Sequence, residues 1–242
     1  MRAWVSGTLA AVLIAAPIVA AGATSFAVML GNAERPEADK VRDADRKPAQ
    51  VIAFAGVKAK TVVVELAPGG GYYTRLLCLT VGPEGHVYTF AGRPSPALDE
   101  WAKTHPNVTV QIGKAGERLA PVPVDVVFTA LNYHDFKNAK DGTTDSAIKT
   151  NAAAFAALKP GGLYLINDHD SALGSGATTT STLHRIEMAY VIKEVEAAGF
   201  KLVAKSDMLR HADDKHMLHE EKVTRGKTDQ FLLRFRKPKG KR

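Results

Sequence analysis

Short apolar runs alternate with amphipathic stretches along most of the chain beyond residue 48. Val62-Val63-Val64 and Val126-Val127-Phe128 are near-continuous apolar runs, the pattern of strands buried on both faces. Strands are expected at Thr61–Leu66, His86–Phe90, Val108–Ile112, Asp125–Ala130, Leu163–Asn167 and Lys201–Lys205, with a last alternating strand at Asp229–Arg236. Helical patterns fall between them. Pro48–Phe54 is stopped by Gly56; Tyr72–Leu79, a stretch around Ala97–Lys103 and the Ala-rich Asp145–Leu158 follow. Leu183–Ala198 carries Ile186, Met188, Val191 and Val195 at core-facing spacing, and Gly199-Phe200 ends it. The Ala-rich helix exits through Lys159-Pro160-Gly161-Gly162. Strands alternating with helices predict an α/β fold, a mostly parallel sheet covered on both faces. The stretch Asp207–Lys227 is long for a loop in such a domain and is expected to be a lid or a mobile excursion.

One segment stands out. After Val62-Val63-Val64 come Glu65, then Ala67-Pro68-Gly69-Gly70-Gly71, then the helical pattern opening at Tyr72. A strand, a tight glycine turn and a helix bring backbone N–H groups and a helix N-terminus close to a ligand. Glycines permit positive φ and remove the Cβ that would hold the ligand away. With Glu65 beneath it, such a turn suits a nucleoside cofactor; a plain strand-to-helix turn has the same outline. The acidic residue precedes the glycines here, whereas the dinucleotide pattern places it ~20 positions after them.

The spacing Glu65-x-Ala67-x-Gly69-x-Gly71 resembles motif I of class I S-adenosylmethionine-dependent methyltransferases, with Ala67 in place of the first glycine. Val124-Asp125-Val126-Val127-Phe128 is similar to that family's fourth strand, Leu158-Lys159-Pro160-Gly161-Gly162 to the turn before its fifth, and Gly199-Phe200 to the ending before its sixth. The chain also resembles a narrower group of exported, poorly characterised predicted methyltransferases. That likeness rests on Arg42 to Pro48, Pro68 to Thr74, Asn167-Asp168-His169, Leu183 to Ile186 and Arg225 to Phe231. The resemblance implies a three-layer, Rossmann-like methyltransferase-type sandwich over residues 48–237. Its sheet would be mostly parallel and seven-stranded, with an antiparallel C-terminal strand. It further implies S-adenosylmethionine as cofactor, held by Glu65, Ala67, Gly69, Gly70, Gly71, Tyr72 and Asn132, and methyl transfer to a small or lipid-like acceptor. In one respect the chain departs from the family. Strand two runs into Ala91-Gly92-Arg93, with no acidic residue for the ribose hydroxyls, so a charge-assisted hydrogen bond is missing.

Ligands of open parallel sheets bind beyond the carboxyl ends of the strands. Asn132-Tyr133-His134-Asp135 follows strand four and Asp168-His169-Asp170 follows strand five, while His184-Arg185 opens the helix after the Gly/Ser/Thr-rich loop. In methyl transfer the sulfonium is an activated donor, so the protein aligns the acceptor and, where needed, removes a proton. His134 or His169 suits the base, Asp168 or Asp135 its orientation, and Arg185 an acidic group of the substrate. His184 belongs to the same candidate catalytic set, and Tyr133 joins Tyr72 as a candidate wall of the cofactor pocket. Two other functions compete: a binding module of the same fold without methyl transfer, and a metal-assisted hydrolase using His134, Asp168 and His169. His211, His216 and His219 invite a metal, but neither HExxH nor a Cys-based pattern accompanies them, so a polar loop is expected and no metal ligand is assigned.

Composition changes the picture at the two ends. Arg2, the apolar Leu9–Ala21 and the small residues Ala21-Gly22-Ala23 read as an export signal over residues 1–23. Apolar character continuing through Leu30 leaves an uncleaved membrane anchor open. The chain is thus expected to be exported, periplasmic or inner-membrane-tethered. Residues 24–47 read as a charged linker or helix. The net charge of +7 gathers in the tail from Arg234 to Arg242, of which 238–242 lie beyond the domain. Such a tail suits a solubilising terminus, and no aromatic interleaving points to nucleic acid. The expected partner is a small-molecule substrate; the oligomeric state is not encoded in any pattern. The single cysteine, Cys78, lies on an apolar helical stretch and is expected to be buried and inert.

Overall fold

The runs of β-branched and aromatic residues form one seven-stranded sheet in the order β3-β2-β1-β4-β5-β7-β6. The computed structural model describes residues 26–138, 146–223 and 227–240. The export segment expected over residues 1–23 lies outside them. The strands are β1 (Val62–Leu66), β2 (His86–Ala91), β3 (Val108–Ile112), β4 (Val124–Ala130), β5 (Leu158–His169), β6 (Lys201–Ser206) and β7 (Gln230–Arg236). Pairing is parallel from β3 through β5, and β7 runs antiparallel to both β5 and β6. The expected three-layer sandwich with its antiparallel C-terminal strand is therefore present.

Nine α-helices lie in the described residues: α1 (Phe26–Leu30), α2 (Glu37–Lys40), α3 (Asp43–Arg46), α4 (Pro48–Ala55), α5 (Tyr72–Val81), α6 (Pro96–Ala102), α7 (Ser146–Ala157), α8 (Thr180–Leu183) and α9 (Met188–Ala197). No helix among the described residues is long and apolar enough to cross a membrane. The two-residue period of β1 sends Val63 and Glu65 to one face and Val64 and Leu66 to the other. Val63 joins Val51, Ile52, Leu76, Leu77 and Leu165 in one core. Val64 and Leu66 join Val127, Tyr164, Ile166, Val191 and Phe235 in the second. Truncating a fully buried leucine such as Leu77 to alanine costs about 2–5 kcal/mol. Cys78 is buried and bonded to Asn107, and burial pushes its thiol up to about 11.

The structure departs from the sequence pattern in two places. The expected exit turn Lys159–Gly162 is part of β5, which pairs with β4 from Leu158 onward and accommodates the turn by a register shift. The expected helix Leu183–Ala198 is broken. α8 ends at Leu183, His184 is left-handed (φ 52), and α9 begins only at Met188. Between them Ile186 bridges Asp170 in parallel pairing, so it packs into the core from an extended segment and not from a helix face. The Asp170 carboxylate accepts from the Met188 N–H at 3.0 Å, a cap supplied from eighteen residues away. The charged segment 24–47 reads from sequence as a linker or a helix. From Phe26 onward it folds into α1–α3 and lies against the domain.

Candidate functional site

The glycine turn builds one side of the site. Ala67 takes φ 51, the left-handed conformation that a glycine holds without strain, and its N–H donates to the Phe90 carbonyl at 2.8 Å. A Cβ built on Gly69 or Gly70 would meet nothing within 4 Å, so both face an open cleft. Gly71 (φ 84) differs: its Cβ would stand 2.8 Å from Leu98 Cδ1 and 3.0 Å from Arg75 Nη1. Of the three expected cofactor glycines, two therefore open the cleft and the third lets α5 and α6 pack. The cleft holds about 520 Å³ and is lined by Ala67, Gly69, Gly70, the β2 exit from Ala91 to Ser95, Asn132 and Asp135. Arg93 lines the wall at the β2 exit, where the resemblance implies a ribose-binding carboxylate. Asn132 Nδ2 donates to the carbonyls of Ala67 (3.0 Å) and Ala130 (2.6 Å), tying the ends of β1 and β4 together.

A lobe of about 240 Å³ shares Ala67, Gly69, Gly70 and Asn132 with this cleft, and it reaches Glu65, Tyr72, Arg42 and Arg46. Glu65 is buried at 3 % exposure and accepts a hydrogen bond from Thr74 Oγ1 at 2.5 Å. Burial raises its carboxyl to about 7, with the Thr74 bond and the Arg75 charge opposing part of the rise. Tyr72 lines the lobe as expected, but its hydroxyl is committed to Asp43 at 2.7 Å. Tyr133 does not reach either cavity. It is fully buried, donating to Glu194 at 2.7 Å and accepting from Asn151.

Residues 26–47 form a strap over this lobe. Arg75, on α5, donates Nε to Asp39 Oδ2 at 2.8 Å and Nη2 to the Gly70 carbonyl at 2.9 Å. Arg35 grips Asp43 through both terminal nitrogens (2.7 and 2.8 Å), and Arg42 also pairs with Asp39. The Arg42 and Arg46 guanidiniums lie 4.8 and 4.5 Å from the Tyr72 ring centroid. From sequence, Asp45-Arg46 suits a charged face or a flap over the pocket; the pairing of the strap's charges appears only once it is docked.

Histidines build the other side. β5 extends to His169, placing Asp168 and His169 at the carboxyl end of the sheet beside the β4 exit. There Leu131 is left-handed (φ 60), its N–H donating to the Asn167 carbonyl at 2.8 Å. A 3₁₀ turn over His134–Lys137 follows. His134 Nδ1 lies 2.8 Å from Asp168 Oδ1, and the His134 backbone N–H donates to Oδ2 at 2.7 Å. Burial alone would lower the His134 pKa; the Asp168 charge and hydrogen bonds outweigh it and raise it. Asp168, although buried, is held below the ordinary carboxylate range by His134. His134 Nε2 lies 3.3 Å from His184 Nδ1.

His169 faces an adjoining cavity of about 430 Å³, which shares Arg42, Arg46 and Leu131 with the lobe and is lined also by Asp45, Glu220, Thr228 and Gln230. Its Nδ1 lies 2.9 Å from Thr228 Oγ1, and burial pushes its pKa down to about 4. The set His134, Asp168 and His169, expected as a possible hydrolase centre, is thus divided. Both Asp168 oxygens bond His134, and Oδ1 also accepts the His169 backbone N–H at 2.8 Å, but the two imidazole rings stand 6.2 Å apart and the His169 ring turns to its own cavity.

Arg185 is corrected outright. It is fully buried, donates to the carbonyls of Asp170 and Leu218, and pairs with Asp214 at 2.8 Å. It fastens the long loop after β6 and faces no cleft. His211, His216 and His219 do not converge: His216 bonds Asp229 at 3.0 Å, and His219 accepts from the Glu221 N–H.

No protein-family model matches the chain. A protein-L-isoaspartate O-methyltransferase of Ignicoccus hospitalis is 26 % identical over 159 residues, 63 % of this chain and 66 % of that protein's length. Among solved structures, an S-adenosylmethionine-dependent methyltransferase from Aquifex aeolicus superposes with a TM-score of 0.60 at 18 % identity. That likeness covers 83 % of this chain and 95 % of the other. The 1,6-didemethyltoxoflavin-N1-methyltransferase of Burkholderia thailandensis, solved with S-adenosylhomocysteine bound, superposes with a TM-score of 0.57 at 16 % identity, covering 84 % and 81 % of the two chains. The chain has the class I methyltransferase fold.

Proposed function

We propose that the chain is an S-adenosylmethionine-dependent methyltransferase acting on a small acceptor. One observation carries the reading: the side-chain-free notch at Gly69 and Gly70 opens at the carboxyl ends of β1 and β2, with Glu65 beneath it and Asn132 beside it. That is where open α/β sheets hold nucleoside ligands. One relative and structural neighbours that are methyltransferases, one neighbour with the demethylated cofactor bound, support it. The cofactor would lie along Ala67–Gly70, its cationic end toward Glu65. Arg42 and Arg46 are placed to meet a carboxylate. The acceptor would enter the cavity lined by His169, whose burial favours the neutral imidazole.

Calorimetric titration with S-adenosylmethionine and S-adenosylhomocysteine tests this, with one saturable site per chain expected. A folded protein that binds neither refutes the reading. A second reading, a binding module without methyl transfer, draws on Arg93 standing where the ribose carboxylate is usual. Saturable binding with no demethylated product in any acceptor screen would favour it. The proposal includes export directed by residues 1–23, checked by the mature N-terminus in fractionated cells.

A further inference from the structure

We propose that His134, Asp135 and His184 form a binding site for a divalent first-row transition ion at the edge of the cofactor cleft. The inference does not depend on methyl transfer. Three donor atoms converge there: His134 Nε2 and His184 Nδ1 are 3.3 Å apart, Asp135 Oδ1 is 3.5 Å from the first and 3.8 Å from the second. Ligand atoms ~2.0–2.2 Å from one tetrahedral ion lie about 3.3–3.6 Å from each other. The three groups therefore stand close to a coordination triangle without rearrangement, and among the described residues this is the one such cluster.

Two further features shape the site. The other nitrogen of His134 is held by Asp168, which also takes the His134 backbone N–H, so the ring is fixed with Nε2 directed at the cluster. A carboxylate behind a ligating histidine is the usual means of fixing its tautomer and orientation. His184 reaches the cluster from a left-handed backbone, a conformation that costs a non-glycine residue about 1–2 kcal/mol and persists where surroundings enforce it. Its Nδ1 has the imidazole of His134 as its neighbour, an arrangement in which two nitrogen lone pairs would oppose each other unless a proton or a cation lies between them.

The donor set selects the ion. Two imidazoles and one carboxylate suit zinc or ferrous iron, whereas magnesium and calcium take oxygen. Asp135 is 50 % exposed and His184 39 %, so an ion there would keep a coordination position toward solvent, as in catalytic rather than structural sites. Asp135 also lines the cleft of the glycine turn, which places the ion beside the proposed cofactor.

The test uses the full chain, stripped with chelator and titrated calorimetrically with Zn²⁺, with Mg²⁺ as comparator. Co²⁺ substitution is followed by its visible ligand-field bands. Saturable Zn²⁺ binding at one per chain is expected, with Mg²⁺ silent. His184→Ala and Asp135→Asn, both at half-exposed positions, should keep the wild-type melting temperature and abolish the cobalt bands. Asp168→Asn, acting through His134, should weaken Zn²⁺ about 10–100-fold. No saturable Zn²⁺ binding, or affinity and cobalt spectrum unchanged in His184→Ala, overturns the proposal and leaves the pair as a proton-sharing hydrogen bond. Failure to bind S-adenosylmethionine with the metal results intact would refute only the methyltransferase reading.

Discussion

The two sides of the cleft are built in opposite ways. On the glycine side, Glu65 through Thr74 supply the strand, the turn, the buried acid and the hydrogen bond that satisfies it within ten consecutive residues. On the histidine side, His134, Asp168 and His184 come from three segments and meet only through the parallel pairing of β4 with β5 and the Asp170–Ile186 bridge. A local site presents empty space; a non-local one presents side chains. The difference fits a division of labour in which backbone shapes a cofactor niche and imported side chains supply chemistry.

The largest expected effect probes the strap that covers the glycine side. Asp39→Ala leaves Arg75, only 6 % exposed, without its carboxylate, and loss of a buried partner costs about 3–5 kcal/mol. Urea denaturation measures it; a loss below ~1 kcal/mol would show the strap to be a surface attachment.

Next comes Glu65. Its folded pKa of about 7 lies above the ordinary 4.5, so the fold prefers the neutral acid. The associated stability is complete below pH 4.5 and is lost as pH rises toward 7, by on the order of 3 kcal/mol. Denaturation of the wild type and Glu65→Gln across this range should show the loss in the wild type alone. A cationic ligand reverses the preference. Cofactor binding near pH 7 should therefore release a proton in the wild type and none in the variant, read from calorimetry in buffers of different ionisation enthalpy.

Gly70→Val separates niche from fold. The position needs no left-handed backbone and has open space, so the variant should melt like the wild type. A branched side chain in the notch should weaken S-adenosylhomocysteine by about 10–100-fold. Gly69 is the poorer probe, because its φ of 56 would add strain of its own. Unchanged affinity in Gly70→Val would move the cofactor elsewhere.

The smallest effect is Ala67→Gly. Relieving the left-handed alanine is worth about 1–2 kcal/mol, less the ~0.4–1 kcal/mol by which glycine loosens the unfolded chain. A small rise in melting temperature is expected; a fall would show the alanine methyl to be packed.

These contrasts explain what could be read from sequence. The strand–turn–helix at Val62–Val81 and the alternation of strands with helices along the chain were legible because each element is specified by contiguous residues. The break before α9 was not. Ile186, Met188, Val191 and Val195 keep helical spacing, yet Ile186 packs into the core from an extended segment and the cap on Met188 comes from Asp170. Arg185 was misplaced for the same reason, since its partner Asp214 lies across the loop. His134, Asp168 and His169 were rightly placed at strand ends, but whether they share one centre depended on which way each ring turns.

Between Glu37 and Lys47 the only buried residue is Asp39. This stretch is seated by guanidinium–carboxylate contacts and a tyrosine hydroxyl, with no hydrocarbon of its own in the core. Lifting it would wet the Tyr72 ring that Arg42 and Arg46 cover but no core hydrocarbon of its own, and so would carry a smaller heat-capacity change than melting of the sheet beneath. Detachment of this stretch and global unfolding should accordingly respond to temperature with different curvature, the former with the weaker.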